Sequence, residues 1–238
     1  MDKLKAYRIN SVGTGNIARA CKKAGAALIY ISTDFVFNGR KTRPYVEADK
    51  TDPLSIYGDS KLKGEVFIRK TLDRYFILRT SWLYGKHGKN FVDTIIAKAK
   101  TEKVLKVVRD QAGSPTYTKH LAKAIHVLLD KVIGRSGVFT EAFGVYHLSN
   151  SGAVSWYGYA RAILKLAGPK VRVVSITSGD LSRPAKRPSM SVMDCSKFSK
   201  LTNYRMRGWK EALSEYILGD ARSSLRGAAR DGVIKIPG

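Results

Sequence analysis

Cysteine is scarce in this chain: Cys21 and Cys195 are the only two in 238 residues, and neither belongs to a CxxC pair. That excludes a disulfide scaffold and a zinc–thiolate site, and it fits the reducing cytoplasm. Long apolar runs are missing as well. None approaches the roughly 18 residues of a membrane span, and the opening MDKLKAYRIN lacks the apolar stretch of a secretory signal. Acidic residues are few, 19 Asp and Glu against 43 Lys and Arg, for a formal net charge of +24 at pH 7. This surplus favours anionic partners (nucleotides, nucleotide-sugars, nucleic acid or anionic membrane surfaces) without choosing among them. The remainder, 44% hydrophobic and 26% charged, is the balance of a folded globular chain.

What is present alternates between buried-type strands and helices. A helix is expected over Asn16–Lys23, stopped by Gly25, and then the apolar run from Ala26 to Ile31 reads as a strand covered on both faces. It ends in Ser32-Thr33-Asp34, polar residues at a strand's C-terminal edge, where open α/β sheets place their chemistry. Asp52 is expected to cap the next helix, with Pro53 at its first position. A second strand covers Tyr75–Arg79. A helix over about 90–100, a strand at Val104–Val108 and a helix from Lys119 to Leu129 follow. After Gly137 the elements shorten: a strand near Val145–Leu148, a helix over Ser155–Leu166, a strand over Val171–Ile176, a loop at 178–191 and a helix near Trp209–Ile217. The class is α/β with a mainly parallel, Rossmann-like sheet and a smaller C-terminal α/β part. The division expected is 1–136 for a partial dinucleotide-binding domain, 137–218 for mainly substrate binding, and 219–238 for a tail.

The helix after Pro53 carries Tyr57, Lys61 and Glu65 at four-residue intervals, hence on one face. A phenol of pKa near 10 exchanges protons poorly at neutral pH, and an ammonium one turn away stabilises its anion. Thr33 could hydrogen-bond the same substrate oxygen as Tyr57. YxxxK alone is a weak signal, since any helix can carry the pair for packing. ISTD at a strand end, with Tyr57 following Thr33 by 24 residues, is much stronger.

ISTDFVFNG, PLSIYGDSKLKGE, LRTSWLYG, NFVDTI, VVRDQAGSPT, YHLSNSG, SWYGYA and AKRPSMS occur in the order of one family. Over residues 6–217 the chain resembles the dTDP-4-dehydrorhamnose reductases, extended short-chain dehydrogenases/reductases. The resemblance implies reduction of the 4-keto group of dTDP-4-dehydro-L-rhamnose with NADPH or NADH. It casts Tyr57 as proton donor, Lys61 as its partner and holder of the nicotinamide ribose, and Thr33 as the hydroxyl tuning the tyrosine. Asp34 and Trp82 match positions lining the sugar pocket, with Thr33 beside them, and Arg187 matches an arginine near the nucleotide-sugar. Met190 stands where the family has Asn, and Phe35 where Tyr is common. The resemblance leaves a Mg2+ requirement and a homodimer open.

The family's first strand, glycine turn and helix have no counterpart here, so the chain is expected to begin within the helix before that fold's fourth strand. Gly13-Thr14-Gly15-Asn16-Ile17-Ala18 fits G-x-G-x-x-A, with Asp34 about 20 residues on. The preceding KLKAYRIN is no apolar strand, however, so the match reads as a decoy. His87, His120, His126 and His147 lack metal-ligand spacing, and His147 reads as a structural strand residue. Asp110-Gln111 and Pro115-Thr116 read as turn formers. Lys5, Arg8, Arg19, Lys22 and Lys23 read as a solvated helix face, and no aromatic motif of RNA binders interleaves with them. The competing functions are a non-catalytic nucleotide-sugar or partner-binding relative, and a nucleic-acid binder supported by charge alone.

Overall fold

The computed structural model describes residues 2–134, 137–138, 140–181 and 185–230. The first elements are helix α1 (residues 3–23), strand β1 (Leu28–Thr33), helix α2 (Ile56–Thr71), strands β2 (Tyr75–Thr80) and β3 (Leu83–Tyr84), and helix α3 (Phe91–Ala99). Strands β4 (Val104–Val108), β5 (Ala112–Gly113) and β6 (Thr116–Tyr117), helix α4 (Thr118–Val132) and strand β7 (Gly144–His147) come next. Strand β8 (Val154–Ser155), helix α5 (Trp156–Ala167), strand β9 (Arg172–Ile176), helix α6 (Ser196–Thr202) and helix α7 (Trp209–Arg230) complete the order.

The main sheet is parallel, in the order β1-β2-β7. Its central strand alternates between two cores, as a period of two requires. Phe76 and Leu78 pack with Leu121, Ala124 and Leu128 of α4 and with Phe198 of α6, whereas Ile77 packs with Ala18 of α1 and Ile68 of α2. With both faces covered, β2 reads as a continuous apolar run. A second parallel pair, β4 with β9, lies beneath α3, α5 and α7 around Tyr84, Ile95, Leu105, Ile163 and Leu213. Chain order and sheet order interleave: β7, beyond residue 137, joins β2, and β4, before it, joins β9.

Three local expectations differ from the structure. Helix α1 starts at Lys3, where the side chain of Asp2 accepts the Leu4 N–H, and it includes one π turn at Arg8–Gly13. The start of α2 is capped by Ser55, whose Oγ accepts the Gly58 N–H at 3.1 Å. Asp52 is instead tied into the preceding loop by Asn38 Nδ2 at 3.0 Å. Helix α7 runs to Arg230, so the segment expected as a tail is helical for its first part; residues 231–238 lie outside those described. Short α6 has no strong periodic signal in the sequence.

Candidate active site

Thr33 is the last residue of β1, and its Oγ1 accepts the N–H of Phe35, which turns the chain sharply off the sheet. That turn brings the Phe35 backbone against the first turn of α2. A side chain at Gly58 would overlap the Phe35 carbonyl, so only glycine permits the approach. The ring of Phe35 then meets Tyr57 edge-on, with centroids 5.8 Å apart. Tyr57 is half-buried, with Thr33 among the groups acting on its phenol. Burial pushes its phenol above the ordinary tyrosine value, against the lowering effect of the Thr33 hydroxyl, while the Asp34 charge pushes it further up. Tyr57 is therefore a phenol, a proton donor, throughout the neutral range.

One turn on, the Lys61 Nζ donates to the carbonyl oxygen of Ile31 at 2.7 Å and lies 3.8 Å over the Tyr30 ring. Burial lowers its ammonium to about 8, with the Glu65 charge opposing. Asp34 is buried. Desolvation pushes it up to about 6, while hydrogen bonding to Ser191 and Thr33 acts the other way. These four residues form one constellation at the C-terminal end of a parallel strand, the position where open α/β sheets bind ligands.

Trp82 and Arg187 belong to a cavity that these four residues do not line. Its volume is about 560 Å³, and Phe91, Lys98, Lys106 and Trp156 line it with them. Trp82 takes a left-handed backbone (φ 47°), uncommon for a bulky residue, and its indole stacks on Trp156 at 3.4 Å. Arg187 is carried by a strap pinned on two sides: Ala112 N donates to the Ser189 carbonyl at 2.8 Å, and Ser189 Oγ to that of Gly39 at 2.9 Å. The strap continues to Ser191, whose Oγ donates to the Ala112 carbonyl at 3.3 Å. Met190 packs against the cluster of Val36, Phe37, Tyr45 and Met193. The sequence signals that carry Trp156 and Ser191 are SWYGYA and AKRPSMS.

Gly13-Thr14-Gly15 lies within α1, with helical backbone and with Thr14 and Gly15 buried, so it forms no phosphate-binding loop. His147 is fully buried in β7. Its Nδ1 lies 3.0 Å from the Tyr45 carbonyl, and desolvation, with the Arg79 charge, lowers it to about 3, so the ring is neutral and structural. Asp110 and Gln111 do more than turn the chain: they hold the hydroxyl of Ser178 at 2.9 and 2.8 Å. Lys5, Arg8, Arg19, Lys22 and Lys23 are exposed along α1. Among the described residues, no group of three or more His, Cys, Asp or Glu could hold a metal ion, and no helix is long and apolar enough to cross a membrane.

A family model, the RmlD substrate binding domain, matches residues 1–221. Spore coat polysaccharide biosynthesis protein SpsK of Bacillus subtilis (strain 168) is 44% identical over 213 residues, which is 90% of this chain and 71% of that protein. The dTDP-4-dehydrorhamnose reductase of Sinorhizobium fredii is 34% identical, over 87% of this chain and 71% of its own. A crystal structure of a dTDP-4-dehydrorhamnose reductase from Clostridium acetobutylicum superimposes with a TM-score of 0.85 at 40% identity, covering 92% of this chain and 75% of that one. One from Bacillus anthracis, in complex with NADP, gives 0.84 at 38% identity over 91% and 74%. The parallel sheet, the Tyr57–Lys61 helix against Thr33 and these matches converge: the chain belongs to the RmlD substrate-binding domain family, that of the dTDP-4-dehydrorhamnose reductases.

Proposed function

We propose that the chain carries the proton-donating and sugar-nucleotide-binding machinery of a reductase that converts the 4-keto group of dTDP-4-dehydro-L-rhamnose to the alcohol of dTDP-L-rhamnose. The observation that carries this reading is the half-buried Tyr57 phenol on the helix face that carries Lys61 one turn on, packed edge-on against Phe35 where the chain turns off Thr33. A nicotinamide dinucleotide, NADPH or NADH, supplies the hydride to C4 when bound. Tyr57 gives its proton to the oxygen that develops negative charge, and Thr33 orients the phenol toward it.

Tyr57 and Lys61 fit the nicotinamide-ribose end of such a cofactor. The ammonium has three donors, and the one spent on Ile31 leaves the others for ribose hydroxyls. In this reading residues 1–136 serve mainly the cofactor side and 137–218 the substrate side. Trp82 crosses from the first part to line the sugar-nucleotide cavity beside Arg187. Asp34, directly after Thr33 at the end of β1, lines the sugar end.

The test is oxidation of NADPH and of NADH in the presence of the 4-keto sugar nucleotide, at low and moderate salt. Tyr57→Phe should lower turnover by about 100-fold or more, the scale of a lost general acid, and leave substrate affinity nearly intact. Near-normal turnover in that variant removes Tyr57 as the acid. Salt-resistant binding of the sugar nucleotide without turnover by the unaltered chain gives the non-catalytic relative instead.

A further inference from the structure

Glu65 is the buried acid at the middle of α2. Its Oε1 accepts from Ser32 Oγ at 2.6 Å and from Arg79 Nε at 3.0 Å, and its Oε2 accepts from Arg79 Nη2 at 2.7 Å. Both charges are out of water, with side chains 0% and 2% exposed. One carboxylate thus joins three elements: its own helix, β1 through Ser32 and β2 through Arg79. Ser32 directly precedes Thr33, and Glu65 follows Lys61 by one turn and Tyr57 by about two. Gly64 allows the close seating, because a Cβ there would come 2.6 Å from Tyr30 Oη, the ring on which Lys61 rests.

A two-bonded guanidinium–carboxylate fork fixes orientation as well as distance. A buried pair is weak evidence for stability, since apolar residues of similar volume often serve as well; setting register is its best-attested use. We infer that Ser32, Glu65 and Arg79 are positioning residues, locking the rotation and height of α2 against β1 so that Tyr57 and Lys61 face Thr33. This rests on the roles proposed above for Tyr57 and Lys61. The Glu65 charge also bears on Lys61 and on Tyr30, in line with that placement.

The test uses Arg79→Lys, which keeps the charge and loses the fork, and the paired Glu65→Leu/Arg79→Met, which removes both charges at similar volume. Acetylation of Lys61 by acetic anhydride is followed by peptide mass spectrometry relative to exposed Lys70 of the same helix, alongside kcat and KM. In Arg79→Lys, where the Glu65 charge remains, a shift of about three-fold or more in the Lys61:Lys70 ratio is expected. In the paired variant the lost Glu65 charge alters Lys61 by itself, so there kcat and KM are read. The kcat should fall about ten-fold or more while KM stays within about two-fold, as misplacement of the reacting groups requires. An unchanged ratio in folded Arg79→Lys overturns the inference, as does unchanged kcat in a folded paired variant. So does a paired variant that cannot fold, because the network would then be a determinant of folding. If the unaltered chain does not reduce the sugar nucleotide, the reductase reading fails while the ratio still decides the clamp.

Discussion

The indole of Trp82 packs closely against Gly113. A Cβ on Gly113 would meet its Nε1 at 2.6 Å, and the same indole stacks on Trp156. Trp82 is thereby held in its left-handed backbone conformation at the cavity wall, a strain that persists where surrounding packing over-determines it. Gly113→Ala should force the indole out, lowering sugar-nucleotide affinity by about ten-fold and stability by about 1–3 kcal/mol, the usual cost of overpacking. Calorimetric titration and urea unfolding check this. Unaltered affinity would detach Trp82 from the substrate site.

Gly15→Ala separates a helix glycine from a phosphate-loop glycine. The added methyl would sit 3.4 Å from the Phe67 ring, an ordinary contact. The variant should be more stable by about 0.5–1 kcal/mol, the helical preference for alanine, with NADPH affinity unchanged. A loop holding pyrophosphate on its N–H groups would lose binding instead. Thermal unfolding and a fluorescence titration decide between these outcomes.

Asp34 and His147 make opposite contributions to acid stability. Asp34 is raised from 3.8 to about 6, so the folded state holds this proton more tightly than the unfolded chain. Its contribution is complete below pH 3.8 and is lost as pH rises through 6, a span worth roughly 3 kcal/mol. Asp34→Asn should therefore stabilise the protein at pH 8, with the gain vanishing near pH 4.

His147 is depressed from 6.5 to about 3, so its contribution is present above pH 6.5 and is lost as pH falls toward 3. Between pH 6 and 4 the two largely offset. The variant His147→Gln should retain more stability than the parent on acidification through that window. Unfolding midpoints across pH 4–8 for the parent and each variant test both signs, and a His147→Gln profile parallel to the parent's would contradict the second.

The sequence by itself determined the α/β class, because buried-type strands such as Tyr75–Thr80 carry their apolar runs wherever they fold. It also determined that Tyr57 and Lys61 share a helix face with Glu65, because helical spacing is local. Helix starts were less legible: Asp52 and Ser55 are both chemically able to cap α2, and Asp52 is instead held in the preceding loop, its N–H on the Val36 carbonyl and its carboxylate on Asn38. The helical state of Gly13-Thr14-Gly15 was decided by packing. A glycine fingerprint carries no information about whether its N–H groups face a ligand or the preceding turn. Tertiary structure alone decided which strands become neighbours, joining β4 to β9 and β2 to β7 across large sequence separations. It decided, too, that Glu65 reaches Arg79 and Ser32, that Trp82 stacks on Trp156, and that the strap bearing Arg187 runs between Gly39 and Ala112. Such contacts depend on burial and on chain crossings that no local pattern encodes, since each residue's own neighbours in sequence allow many partners and only close packing selects one.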